Sequence, residues 1–406
     1  MPNWTRIEGN IATPEGFSAS AAHAGFKKDA GALDLALIYS EATDTAAAGV
    51  FTTNRVVAAP VILSRQHLVQ SRGRARAVVV NSGNANACCG RAGTRVAEAT
   101  ARAAAEALGV PARKVLVAST GVIGAPFNAA RITSRIPALV ASLAAGNAGE
   151  VARAIMTTDT VPKSLVLRAK LSGRAIHLAG IAKGSGMIHP RMATMLCFIT
   201  TDVGIAPRDL KSMLRAAADV SFNRITVDGD TSTNDTVLAL ASGLSEVSIR
   251  PGSRDAGFLQ GGFCELATEL ALKIVRDGEG ATKLITVEVR GARSAPDADL
   301  AARAIANSPL VKTAVAGSDA NWGRIICAAG YCGAQFDPAK AEVRLNRLLL
   351  CRGGTGAPFN ETAARRELDK NELTLTVDLH SGSASARVWT CDLTHGYIDI
   401  NASYRS

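Results

Sequence analysis

Aromatic residues make up only 4% of the 406-residue chain, so its cores cannot rest on clusters of large rings and must come from close packing of the abundant alanine and glycine. Long apolar runs are missing as well: no stretch approaches the roughly 18 uninterrupted apolar residues that a membrane span needs. Cysteines are present but lack metal spacing. Among Cys88, Cys89, Cys197, Cys264, Cys327, Cys332, Cys351 and Cys391 there is no C-x-x-C pair, which excludes a zinc ribbon or finger and reads as free thiols in a reducing compartment. The stretch Met1 to Glu8 shows no basic run followed by an apolar one, so no secretory signal is expected and cytoplasmic residence is the default. The Asn-x-Ser/Thr triplets at Asn3, Asn234, Asn360 and Asn401 then carry no glycosylation meaning.

What is present is the balance of a globular protein, 47% hydrophobic and 20% charged, in a chain long enough for two or three packed units. The net charge of +10 raises the question of an acidic partner. Its basic residues are dispersed, the densest cluster being Arg72, Arg74 and Arg76, and neither a basic stripe with stacking aromatics nor a recognisable module accompanies them. No nucleic-acid partner is expected; the charge suits solubility and attraction for small anionic metabolites.

Apolar patterning predicts strands at Leu33 to Ile38, Ala48 to Thr52, Val56 to Leu63, Ala77 to Val80 and Lys114 to Ala118. An alanine-rich helix is expected over Thr94 to Leu108, with Thr94 as its N-cap, and further helices over Pro137 to Ala144 and Ala148 to Met156. Leu165 to Thr201 reads as two or three strands interrupted by the glycine-bearing segment Lys183 to Thr194. Helices follow at Pro207 to Val220 and Phe263 to Asp277. Beyond Lys283, strands such as Leu284 to Val289 and Leu373 to Val377 alternate with a helix at Asp297 to Ala306, so a second, smaller α+β unit is expected with a boundary near residue 283. Intermixed strands and helices argue a layered α/β sandwich, with the topology open.

The stretch richest in chemistry is Lys183-Gly184-Ser185-Gly186-Met187-Ile188-His189-Pro190-Arg191-Met192-Ala193-Thr194-Met195-Leu196. Two glycines, a serine and a proline mark irregular backbone ahead of an apolar strand that opens on a threonine after a small alanine. A self-cleaving nucleophile needs this arrangement, because its hydroxyl must reach the preceding carbonyl. The freed α-amino group then lies beside the same hydroxyl and can act as its base, with an unperturbed pKa of about 7.7–8.0. An ordinary loop before a strand is the alternative reading of the segment taken alone. A phosphate loop fits the segment less well still, since no G-x-x-x-x-G-K-[ST] match exists.

The string resembles the processing site of the ornithine acetyltransferase family (glutamate N-acetyltransferases), whose members carry K-G-S-G-M-I-x-P-x-M-A-T-M-L. Other segments match that family in order along nearly the whole chain: Gly49 to Asn54, Asn81 to Cys88, Ala118 to Gly124, Met156 to Lys163, Thr226 to Asp235, Asp277 to Lys283, Ser308 to Thr313, Gly317 to Arg324 and the tail Asn401 to Ser406. The resemblance implies the family's sandwich fold and a cut between Ala193 and Thr194. It gives an alpha chain 1–193 and a beta chain 194–406, in which 194–282 completes the catalytic sandwich and 283–406 forms the smaller unit. It implies two copies of each chain in a heterotetramer.

By the same resemblance Thr194 is the acyl-carrying nucleophile, and Thr120 and Gly121 form the oxyanion hole, a plain turn being the alternative. Thr157, Lys183, Thr194, Glu279, Asn401 and Ser406 are implied in substrate binding. An amino-acid substrate brings an ammonium and a carboxylate, so Lys183 suits the carboxylate end and Glu279 the ammonium end. Asn401 and Ser406 lie in the last six residues, where disorder is the usual expectation, and many family members end in threonine where this chain has Ser406. His189 and Arg191 occupy variable places and receive no role. Asp228, Asp230 and Asp235 look like a metal cluster, but the family has no metal there, and buried hydrogen-bonding carboxylates are expected instead.

The activity implied is acetyl transfer from N-acetylornithine to glutamate, releasing ornithine and N-acetylglutamate, in arginine biosynthesis. No bound cofactor is expected. Some members use only acetylornithine, others also acetyl-CoA; no residue here decides between them, and acetyl-CoA as a co-substrate of a bifunctional enzyme is the expectation. One rival is an N-terminal-threonine aminopeptidase or amidohydrolase on a related self-cleaving scaffold. The other is an uncut amino-acid-binding protein.

Overall fold

The computed structural model describes residues 3–29, 31–144, 146–189 and 195–403. Thr194 with Ala193, and Ser406, therefore lie outside the described residues. Sixteen strands are present among the described residues. In chain order they are β1 (Thr5–Ile7), β2 (Phe17–Ala22), β3 (Leu35–Ser40), β4 (Ala46–Phe51), β5 (Ala77–Asn84), β6 (Val115–Val122), β7 (Lys163–Leu171) and β8 (Arg174–Lys183). There follow β9 (Leu196–Thr201), β10 (Thr236–Ala241), β11 (Leu284–Ala292), β12 (Glu342–Leu345), β13 (Leu348–Arg352), β14 (Thr355–Gly356), β15 (Glu372–Asp378) and β16 (Ala384–Cys391).

They build three sheets, ordered β1-β7-β8-β9-β10-β4, β2-β3-β5-β6 and β14-β13-β12-β15-β11-β16. The first two stack face to face. Leu196 and Phe198 of β9 and Leu238 and Leu240 of β10 meet Val78 and Val80 of β5 and Leu116 and Ala118 of β6 in one core. Successive residues of a strand point to opposite faces, so Cys197, Ile199, Val237 and Ala239 turn the other way, into a core shared with the helices Pro207–Val220 and Arg254–Arg276. Likewise Ala77 and Val79 face the helix Gly90–Leu108. Strands buried on both faces read as continuous apolar runs rather than alternating ones. The result is a four-layer α-β-β-α sandwich, the layered α/β fold expected from the sequence. The third sheet, built from residues 284–391, packs its own core against the helices Ala295–Asn307, Pro309–Ala316 and Trp322–Gly330.

Four local expectations are corrected. Val56 to Leu63 is not a strand: a helix runs over Ala59–Gln70 with Pro60 in its first turn, and Pro60, Val61, Ser64 and His67 are buried at helical spacing. The β-branched pair Val61-Ile62 gave the misleading signal. Thr94 is not a cap, because the helix begins at Gly90, four residues earlier. The helix expected from Phe263 starts at Arg254, capped by Ser253, whose side chain accepts the Ala256 N–H. Its glycines hid the start; Gly262 lies where Trp4 crosses the helix and stacks on Phe258, ring centroids 5.1 Å apart. Finally, Asn401 does not lie in a disordered tail but in the helix His395–Ser403.

Candidate active site

One end of the two stacked sheets collects the site. β8 ends there at Lys183, which pairs with Leu196 at the start of β9, and Leu196 in turn pairs with Thr236 at the start of β10. From the second sheet, the parallel strands β5 and β6 arrive with Gly83 opposite Gly121 and a register shift at Gly83/Asn84. Gly121 has φ of 125°, and a Cβ on it would sit 2.3 Å from the Gly83 carbonyl carbon, so no side chain fits. The two backbones are thus brought together beside a cavity that Gly121 lines. Asn234 ties the crossing by donating from Nδ2 to the carbonyls of Ala85 (2.7 Å) and Ser119 (2.8 Å).

Lys183 is the centre of the polar arrangement. Its ammonium is buried and donates to Thr157 Oγ1 at 2.7 Å and to Thr120 Oγ1 at 3.3 Å, so each threonine keeps its own hydroxyl proton free to donate elsewhere. Burial lowers the Lys183 pKa, an effect opposed by the neighbouring Asp159. Asp159 itself is held down at about 2: burial raises it, but Lys183, then Lys163, then the Gly184 N–H outweigh burial. Lys163, fully buried, bridges Asp159 Oδ1 (2.6 Å) and Asp277 Oδ2 (2.5 Å).

The glycine-serine segment after β8 now has physical reasons residue by residue. Gly184 N–H donates to Asp159 at 2.7 Å, and Ser185 Oγ donates to the Asp277 carbonyl at 2.6 Å. A Cβ on Gly186 would fall 2.2 Å from the Glu279 carboxylate, so a side chain there would displace that carboxylate. Glu279 is buried, and its carboxylate accepts Asn401 Nδ2–H at 2.8 Å. The C-terminal helix is brought back to this point by Thr394, whose Oγ1 donates to the Gly280 carbonyl at 2.6 Å.

Thr120, Gly121, Thr157, Lys183, Glu279 and Asn401 all line one cavity of about 180 Å³, together with Asp228 and Tyr397. The candidates named from the sequence that fall within the described residues are thereby brought together, a cation on one side and a carboxylate on the other. Of the three aspartates read as buried, only Asp235 is fully so; Asp228 is half-buried and Asp230 exposed. Asp228 accepts the N–H groups of Met187 (2.5 Å) and Ile188 (2.8 Å), and burial pushes its pKa up to about 6. Burial likewise raises Asp235 well above the usual carboxylate range.

Sequence reasoning missed the supporting residues Asp159, Lys163, Asp277, Asn234 and Tyr397. The first four had only the signal of membership of the quoted motifs, and Tyr397 lies in none of them; nothing in spacing brings Lys163 to Asp277 across 114 residues.

Fold and cavity define a layered α/β sandwich protein with a small, two-signed pocket lined by the threonines Thr120 and Thr157 beside Lys183 and Glu279. The ArgJ family pattern matches residues 18–406. The arginine biosynthesis bifunctional protein ArgJ of Symbiobacterium thermophilum is 50% identical over 402 residues, covering 98% of this chain and 99% of that protein. The protein of the same name from Gloeobacter violaceus is 47% identical over 410 residues, covering 100% of each. A crystal structure of ornithine acetyltransferase complexed with ornithine, from Mycobacterium tuberculosis, is similar at 42% identity and a TM-score of 0.43, covering 47% of this chain and 98% of that one. The chain belongs to the ArgJ family. Among the described residues no helix is long and apolar enough to cross a membrane.

Proposed function

We propose that this protein transfers the acetyl group of N2-acetyl-L-ornithine to L-glutamate through an acetyl ester on Thr194, having first cut its own chain between Ala193 and Thr194. The observation that carries the reading is the cavity between Lys183 and the Glu279–Asn401 pair, which lies where β8 hands over to the segment bearing residues 193 and 194. N-acetylornithine keeps one carboxylate and one side-chain ammonium. Lys183 takes the carboxylate, with Thr157 beside it, and Glu279, held by Asn401, takes the ammonium; the family resemblance adds Ser406 to the substrate contacts.

In the cut, the Thr194 hydroxyl attacks the Ala193 carbonyl carbon. The C–O bond forms, the C–N bond breaks, and the departing nitrogen takes up the proton. Water then hydrolyses the ester, leaving a carboxylate on Ala193 and a free α-amino group on Thr194. In transfer that amine takes the hydroxyl proton as Thr194 attacks the acetyl carbonyl, and ornithine leaves with a proton on its nitrogen. Glutamate's amine then attacks the ester, regenerating the hydroxyl. Thr120 Oγ1–H and the Gly121 N–H stabilise the oxyanion in each tetrahedral state; a single such donor is worth about 10²–10³ in rate.

The relatives' name supports a second donor, and acetyl-CoA is the one we assign, acetylating Thr194 with release of the thiol. The cut yields chains 1–193 and 194–406, two of each per assembly. Intact-mass measurement of denatured protein tests this first. Two species summing to the chain plus one water, the second starting at Thr194, support it. A single uncut chain that nevertheless transfers acetyl at full rate would sink the Thr194 mechanism. Acetyl release from acetylornithine that glutamate does not accelerate would sink the transferase.

A further inference from the structure

Residues Thr226 to Thr236, the acid-rich stretch of the sequence, touch both ends of the connection between β8 and β9. Upstream, Asp228 accepts the Met187 and Ile188 N–H groups, while the Ile188 carbonyl accepts the Val227 N–H at 2.7 Å and Thr226 Oγ1–H at 3.0 Å. Downstream, Asp235 Oδ1 accepts the Met195 N–H at 2.9 Å, and the Met195 carbonyl accepts the Thr236 N–H at 3.1 Å. Only residues 189–194 lie between these anchors. The second oxygen of Asp235 is buried with no hydrogen-bond partner among the described residues. A buried carboxyl left half-unpaired costs stability where it stands. Its effect has therefore to be sought in what it holds, the peptide nitrogen one residue past Thr194.

We infer that Asp228 and Asp235 are positioning residues for self-cleavage, two backbone clamps on either side of the Ala193–Thr194 junction that fix the ends of the intervening peptide. The inference rests on the cut proposed above. Bringing a hydroxyl onto its own preceding carbonyl requires an otherwise rare backbone arrangement. Fixing both ends of a short segment removes most of the competing ones before the reaction begins. The clamp acts through the backbone N–H groups of Met187, Ile188 and Met195, and it needs an acceptor oxygen rather than a charge.

The test follows cutting in freshly purified full-length chain by intact mass, with the thermal midpoint recorded alongside. Asp235→Ala removes the downstream acceptor and is expected to slow cutting by about tenfold or more. Asp235→Asn keeps an acceptor of the same shape and is expected to cut within about threefold of the wild type. A merely structural role would lower the midpoint of the alanine variant without this split in cutting rate. Folded Asp235→Ala that cuts at the wild-type rate overturns the clamp. If Asp235→Ala does not fold, Asp228→Ala decides: slowed cutting of the same order supports the clamp, and wild-type cutting overturns it. A wild-type chain that stays whole overturns the self-cleavage reading and the clamp together. Cutting wild type beside equally fast variants overturns the clamp alone.

Discussion

Replacing Lys163 by methionine removes a fully buried ammonium and leaves the volume nearly unchanged, so the response is electrostatic rather than one of packing. Lys163 Nζ lies 2.6 Å from Asp159 Oδ1 and 2.5 Å from Asp277 Oδ2. With Lys183, 4.0 Å from Asp159, the cluster holds two positive and two negative groups. The variant holds one against two. Breaking a buried pair from one side costs about 3–5 kcal/mol. Here we expect the lower figure, because Asp159 keeps N–H bonds from Gly184 and Thr157, and Asp277 keeps that of Thr160.

The pH dependence gives the reasoning a second handle. Asp159 stands at about 2 in the fold against an ordinary 3.8. At 1.36 kcal/mol per unit this contributes about 2–3 kcal/mol. That stability is present above pH 4 and lost as pH falls through about 2. In Lys163→Met the pKa depression shrinks, so this acid-side loss becomes shallower. Lys163 also depresses Lys183, so its removal raises the Lys183 pKa and extends substrate binding to higher pH. Urea unfolding across pH 2–8 and KM for acetylornithine across pH 7–10 measure both. An unfolding free energy within about 1 kcal/mol of the wild type at pH 7, with an unchanged alkaline limb, would refute the account. Adding Asp159→Asn should restore part of the loss, since the stranded charge is then gone.

Thr194→Ala is expected to abolish cutting and transfer together, while Thr194→Ser still cuts; mass and transfer assays on the same preparations check both. Lys183→Met should raise KM for acetylornithine by about 10–10²-fold through the lost charge-assisted bond to the substrate carboxylate, with a smaller change in kcat; an unaltered KM would remove Lys183 from the site. Glu279→Gln should weaken acetylornithine more than glutamate, because only the donor presents a side-chain ammonium, as competition between the two in steady-state kinetics would reveal. Gly121→Ala forces a Cβ against the Gly83 and Asn84 backbone. It should cost about 1–3 kcal/mol in backbone strain alone, visible as a lower thermal midpoint together with a loss of kcat.

Much of this protein is written locally. Helix Pro207–Val220 agrees with its sequence reading at both ends, because proline opens it and its apolar spacing is regular. The doubly buried strands β5 and β9 announce themselves as apolar runs. The segment Lys183 to Leu196 and the motifs that carry Thr120, Glu279 and Asn401 are likewise legible from residue order. Other features depend on distance in space, which residue order does not encode. The pairing of Lys163 with Asp277, the crossing of Gly83 and Gly121, the return of Asn401 to Glu279 and the hold of Asp228 and Asp235 on the β8–β9 connection belong to this group. Composition and periodicity act over a few residues and determine which elements form. Burial of charge and close backbone approach are properties of the folded assembly, and only the tertiary structure decided them.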